Sequence, residues 1–193
     1  MYYKKILAAA LTVSCIGGIV PANSVQAASL KIRYSGKTRY YKGKQLHVSY
    51  ANKNLSSKYV GIQINKVNMI PYYDYLVKQG PKVKRTYSKS SGKLILKNGD
   101  DTLTAYVGKR TYYLNGVKKT FSVAPTKVKY YKTKKTIILI PANAIVKGLG
   151  LNYKYSSSSK RIYITQPVIP SDSTTQVQTQ PSGSVQYTNY NKS

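Results

Sequence analysis

The sequence predicts an α+β domain built as two β-rich repeats, each with one short helix, sharing one core. Three observations predict it. An Ile-Pro pair recurs, Ile70-Pro71 and Ile140-Pro141, and each pair is followed by glycine nine residues after the proline, at Gly80 and Gly150. Alternating apolar segments flank both intervals. The folded stretch is confined to 29–165, 137 residues, a length that suits one domain.

The intervals YYDYLVKQ and ANAIVKGL are each long enough for about two helical turns. Proline suits the first turn of a helix, and glycine suits the left-handed position just past its end. Ala142, Ile145 or Val146, and Leu149 fall on one side at helical spacing. Asp74 stands in the first turn of the earlier helix, where the helix dipole favours an anion. Strands are expected at 46–50 and 59–64 before the first helix, and at 127–131 and 136–140 before the second. Hairpins follow the helices: 82–87 with 93–96, and 151–155 with 161–165. In the second, Leu151, Tyr153 and Tyr155 alternate, as do Ile162 and Ile164. Tyr41-Lys42-Gly43 and Leu114-Asn115-Gly116 read as matching turns near the start of each unit. The offset of about 70 residues throughout is what marks a repeat.

The ends are different material. Lys4 and Lys5 precede the uncharged apolar run 6–20, and Val25-Gln26-Ala27 places small residues where signal peptidase needs them. Residues 1–27 therefore read as a secretory signal peptide cleaved after Ala27. The apolar run of 15 residues falls short of the roughly 20 that a transmembrane helix requires. Cleavage removes the only cysteine, Cys15, so the exported form has no disulfide. Residues 166–193 are rich in Ser, Thr, Gln and Pro, a composition that predicts a disordered tail.

Composition narrows the chemistry. The chain has 32 Lys and Arg against 4 Asp, no Glu and one His, for a net charge of +28. Removing Lys4 and Lys5 leaves +26, all of it within 29–165. So few carboxylates and one imidazole leave little for acid–base catalysis or for a metal site. His47 lies between the apolar alternates Leu46 and Val48 and is expected to face solvent, and Met69 reads as core. Asn98-Gly99 before Asp100-Asp101 marks that acidic pair as a turn. Neither a cofactor nor a metal is expected.

The order of strands, prolines and glycines resembles the copper amine oxidase N-terminal-like domain, also called the stalk domain. The stretch 112–165 carries it best: Leu114-Asn115-Gly116, Ala124-Pro125, a strand ending at Ile140-Pro141, a helix ending at Leu149-Gly150, then the hairpin. The strand 103–108 also fits, and 40–96 matches more loosely. The chain departs from the family at Tyr73 and Asn143, where Arg is common, and at Tyr155-Ser156, where Trp-Asp is common. The resemblance implies the non-catalytic stalk of an amine oxidase, not its oxidase domain.

Lysine and tyrosine carry the compositional signal. Seventeen of the 21 tyrosines lie in 29–165, several as doublets: Tyr40-Tyr41, Tyr72-Tyr73, Tyr112-Tyr113 and Tyr130-Tyr131. In a strand one of each doublet faces the core and one faces out. Outward tyrosines among lysines make a surface suited to acidic polysaccharides and other polyanions. Lys127, Lys129, Lys132, Lys134 and Lys135 are the candidate polyanion contacts, and Tyr73, Tyr113 and Tyr131 the candidate glycan-stacking rings. The expected function is a secreted, non-enzymatic module that associates with the cell envelope through anionic wall polymers such as teichoic acids, or acidic glycans. The alternatives are an exported enzyme or inhibitor of unknown chemistry and an extracellular nucleic-acid binder. Basic charge and tyrosine suit the latter, but export argues against a cytoplasmic nucleic-acid role.

Overall fold

Period-2 alternation dominates the folded stretch, and the structure, a computed structural model that describes residues 29–168, is mostly β-sheet with two short helices. The signal peptide with its cleavage point at Ala27, and nearly all of the 166–193 tail, lie outside the described residues.

The strands are β1 (Leu30–Tyr34), β2 (Lys37–Tyr41), β3 (His47–Tyr50), β4 (Lys53–Leu55), β5 (Ile62–Ile64), β6 (Val67–Pro71), β7 (Lys84–Tyr87) and β8 (Lys93–Asn98). They continue with β9 (Asp101–Tyr106), β10 (Thr111–Leu114), β11 (Val117–Thr120), β12 (Thr126–Tyr130), β13 (Lys135–Pro141), β14 (Asn152–Ser156) and β15 (Arg161–Thr165). A π-helix, Tyr73–Gln79, follows β6, and α1, Ala142–Gly148, follows β13. Three sheets result, with strand orders β2-β1-β12-β13-β6-β5, β11-β10-β9-β8-β7 and β14-β15-β3-β4. Neighbouring strands are antiparallel except β15 and β3, which pair in parallel through Ile162 and Val48.

The buried apolar residues form two clusters, not the single core the sequence predicts. The cause is the pleat. Met69 and Ile70 are consecutive on β6, and Leu139 and Ile140 on β13, so each pair points to opposite faces of the six-stranded sheet. Ile70 and Ile140 join the larger cluster with Tyr75 and Leu76 of the π-helix, Ile145 and Val146 of α1, and Leu94, Leu103 and Ile162. Met69 and Leu139 join Ile32, Ile62, Val128 and Tyr130 on the other face. The hairpins after the two helices also part company: β7 and β8 enter the five-stranded sheet, β14 and β15 the four-stranded one.

The two helices end differently. Gly150 has φ +69°, and Gly150 N–H and Leu151 N–H donate to the carbonyls of Lys147 and Val146, a left-handed glycine cap. Gly80 departs from the expectation of a left-handed cap: its φ is −78°, and its N–H donates to Tyr75 at 3.0 Å, a bond of π-helical span. The left-handed turn falls instead at Lys82, φ +59°.

Turn geometry also corrects the paired-turn reading. Asn115-Gly116 joins β10 to β11 with φ of +50° and +81°, the primed hairpin turn. Ser35-Gly36, Ala51-Asn52 and Asn65-Lys66 make the same two-residue left-handed turn between β1 and β2, β3 and β4, and β5 and β6. Gly43 is not among the residues with positive φ. Among the described residues no helix is long and apolar enough to cross a membrane.

Candidate polyanion-binding face

β12 reads Thr-Lys-Val-Lys-Tyr, with Val128 and Tyr130 buried and Lys127 and Lys129 exposed. β1 reads Leu-Lys-Ile-Arg-Tyr, with Ile32 buried and Lys31 and Arg33 exposed. The strands pair antiparallel with Ile32 opposite Tyr130 and Arg33 opposite Lys129. Residues directly opposite share a face, so Lys31, Arg33, Lys127 and Lys129 project together from one side of the sheet. Arg33 beside Lys129 is a like-charge pair, which weakens strand pairing.

Tyr131 continues β12 onto this face, its N–H donating to the Lys31 carbonyl at 3.1 Å. The Lys31 and Lys129 Nζ atoms lie 5.0 and 5.4 Å from its ring centroid. Tyr131 Oη shares a hydrogen bond of 3.0 Å with Thr38 Oγ1. That bond first, and then the charges of Lys129, Arg33 and Lys31, lower the phenol's pKa below its ordinary value. Lys31 also lies 5.5 Å from the Tyr40 ring, and Arg39 4.7 Å from that of Tyr34. Such cation–π contacts favour each ammonium or guanidinium over the ring by about 0.5–1 kcal/mol at exposed sites.

The five candidate lysines therefore divide. Lys127 and Lys129 share the β1–β12 face, while Lys132 and Lys134 sit in the turn 131–134 and Lys135 opens β13, opposite Tyr130. Lys132 lines a different basic cleft with Lys31, Lys58, Lys160 and His47. The candidate tyrosines are also apart. Tyr73 is on the π-helix, with Lys78 and Arg85 5.1 and 4.6 Å from its ring, and Tyr113 is on β10 opposite Lys118. Two doublets split as strand alternation requires: Tyr112 and Tyr130 are buried, while Tyr113 is 38 % exposed and Tyr131 half-buried. Tyr72 is buried and Tyr73 39 % exposed at the start of the π-helix, where helical geometry makes the split.

Sequence reasoning missed Lys31, Arg33 and Lys89. The Leu-Lys-Ile-Arg-Tyr alternation could have found the first two; Lys89, in the turn between β7 and β8, lines a cleft with Arg33, Lys127 and Lys129 only because the fold brings that turn close. Two of the described carboxylates are held away from this face. Asp74 accepts a hydrogen bond from Ser57 at 2.5 Å, and Asp101 one from Asn115 at 2.9 Å.

A family model of the copper amine oxidase N-terminal domain matches residues 51–164, more than half of the chain. The chain belongs to this family. No curated protein and no solved structure matches it. A copper amine oxidase N-terminal domain is a stalk-like, non-catalytic module, and this one carries β1, β2 and β3 ahead of the matched stretch. Two cations of the basic face, Lys31 and Arg33, thus stand outside it. The family name raises copper, and the described residues do not fit that metal. Among the described residues no three of His, Cys, Asp or Glu gather. His47 is exposed beside a cleft, while Met69 is buried in the smaller apolar cluster.

Proposed function

We propose that the protein is an exported, non-catalytic binding module that associates with the cell envelope by holding anionic polymers, wall polymers or acidic glycans, against its basic β1–β12 face. The single observation that carries this is the convergence of Lys31, Arg33, Lys127 and Lys129 on one sheet face, brought together by β1–β12 pairing. A charge of +26 on a nearly acid-free domain repels itself, and bound anions relieve that repulsion. Solubility alone would be served as well by mixed charges.

The mature chain is expected to be retained on an immobilised polyanion such as heparin or teichoic acid at low salt, and to elute steeply as salt rises. Contacts of this kind are screened within about 8 Å at physiological ionic strength. Passage through such a column at low salt, or retention indifferent to salt, would sink the reading.

Export rests on the leader. N-terminal sequencing of protein recovered outside the cytoplasm is expected to begin at or near Ala28; a chain still starting at Met1 would contradict it. We further read the halves as repeats, each a strand, Ile-Pro, helix and glycine at an offset of 70. In support, Ile70 pairs with Ile140 where β6 meets β13.

A further inference from the structure

We infer that the ligand is a linear polyol phosphate, gripped in the cleft bounded by the β1–β2 turn, β12 and the β7–β8 turn. This rests on the anionic-polymer reading above and names its site and chemistry. The cleft has a volume of about 670 Å³ and is lined by Arg33, Lys89, Lys127 and Lys129, with no carboxylate among its lining residues. The four cations come from three separate elements, so an anion inside is met from several sides.

That geometry favours phosphate over carboxylate. A carboxylate accepts hydrogen bonds near its own plane, whereas the two non-bridging oxygens on a tetrahedral phosphorus accept donors from a wide cone of directions. Arg33 supplies a fork of parallel N–H donors and the lysines supply point charges. The hydroxyls of Ser35, Thr126 and Thr136 line the same cleft. Gly36, Gly92 and Gly108 line it too, keeping side chains away from the path of a thin chain. Lys127 and Lys129 are two residues apart on β12, about 6.6 Å along the strand, so a chain laid beside it meets repeated positive charge.

The rings argue against the other polymers. Single-stranded nucleic acid is held by bases stacked on open aromatic faces, and glycans use the same platforms. Here the Tyr131 ring is attended by Lys31 and Lys129 and the Tyr34 ring by Arg39. Tyr34 is the one aromatic residue lining the cleft. What remains is charge and hydroxyl donors, which fit a polymer of phosphates without rings.

The test uses the mature chain and three probes: poly(glycerol phosphate), polygalacturonate and poly(dT), titrated at low salt. The expected order places poly(glycerol phosphate) tightest. The variant Arg33→Gln/Lys127→Gln/Lys129→Gln is expected to lose about tenfold or more, and to lower the slope of log K against log salt by about 2, given roughly 0.7 per contact on a single strand. The control Lys58→Gln/Lys132→Gln/Lys160→Gln removes equal charge from the other basic cleft and is expected to lose less than about a third of that change in log K. Lysine acetylation of the unaltered chain gives a readout that no variant can spoil: the polymer should protect Lys89, Lys127 and Lys129 and leave Lys58 and Lys160 reactive. Equal losses in both variants, or protection spread over all lysines, would overturn the cleft while leaving the polyanion reading standing. Equal or tighter binding of polygalacturonate or poly(dT) would overturn the ligand class. Binding to none of the three would bring down the anionic-polymer reading itself.

Discussion

Raising the pH from 10 to 12 is expected to destabilise the domain through its buried tyrosines, among which Tyr130 contributes most and Tyr75 next. The Tyr75 ring is almost fully buried between the π-helix and the core, and its phenol pKa is pushed up to about 12. Burial is the main cause and the nearby Asp74 carboxylate adds to it, against the opposing influence of the Ser57 hydroxyl and the charge of Arg161. Burial likewise raises Tyr130, which donates to the Val60 carbonyl at 2.6 Å and meets the Tyr59 ring edge-on at 5.4 Å. Tyr41, Tyr72, Tyr112 and Tyr153 shift the same way, each with burial as the first cause.

The sign follows from proton counting. An unfolded tyrosine ionises near 10, so above that pH the unfolded chain has released protons the folded chain still holds. Stability then falls as pH rises. The contribution is fully present below pH 10 and is lost on the way to the folded value. With the folded phenol half-ionised at pH 12, a two-unit difference makes Tyr75 alone worth about 2 kcal/mol there, against a total stability of roughly 5–15 kcal/mol for such a domain. Lysines lose charge in the same window, which relieves repulsion and opposes the effect. Tyr131 also opposes it, since its pKa is lowered. Denaturant melts at pH 8, 10 and 11.5, followed by circular dichroism, decide the balance. Tyr75→Phe is expected to flatten the alkaline limb while leaving stability at pH 8 within about 1 kcal/mol, since its phenol oxygen is 3.5 Å from the Tyr59 carbonyl, a weak bond. An alkaline limb unchanged by Tyr75→Phe would show that the phenol is not protected as described.

Much of this frame was legible because it rests on local rules. Ile140-Pro141 and Gly150 bracket α1 since proline and glycine act through their own backbone angles. The Tyr112-Tyr113 and Tyr130-Tyr131 doublets split as strand alternation demands. What escaped has equally physical causes. β2, β4 and β11 are Lys-Thr-Arg-Tyr-Tyr, Lys-Asn-Leu and Val-Lys-Lys-Thr, with no buried position among them. They are edge strands held by backbone pairing, and lysine at such edges discourages pairing with other chains. The turns at Ala51-Asn52 and Asn65-Lys66 lack the glycine that usually announces a left-handed pair. The first helix takes a π-helical span that the spacing of YYDYLVKQ does not announce. In the binding face, Lys127 and Lys129 could be read from alternation, but Arg33 joins them only through pairing across 96 positions of chain. One periodicity served both clusters, so a single core was the simplest inference; the pleat of β6 and β13 divides it.

Gly80→Ala is expected to destabilise the domain by about 3–5 kcal/mol, in the upper range for single substitutions. The residue is buried and its φ is negative, so the usual left-handed argument does not apply. The constraint is distance. A Cβ there would stand 2.2 Å from the Tyr75 carbonyl oxygen and 3.4 Å from Leu55 Cδ1. The oxygen is backbone, and it accepts the Gly80 N–H, so relief means opening the bond that closes the π-helix. That leaves a carbonyl short of a partner, at about 1–3 kcal/mol. It also moves Tyr75 and Leu76, which anchor the helix in the larger cluster. Gly150→Ala provides the contrast. Its φ of +69° costs an alanine about 1–2 kcal/mol. Its close contact, Asp101 Oδ2 at 2.6 Å, belongs to a side chain that can swing away. Thermal melts at neutral pH separate the two. At about 3–5 °C per kcal/mol for a domain of this size, Gly80→Ala should fall by about 10 °C or more and Gly150→Ala by roughly half as much or less. If Gly80→Ala melts within a few degrees of the unaltered chain, the helix does not close through a Gly80–Tyr75 bond. The glycine would then be a packing convenience, and Lys82, with the first left-handed φ after the helix, would be the residue that ends it.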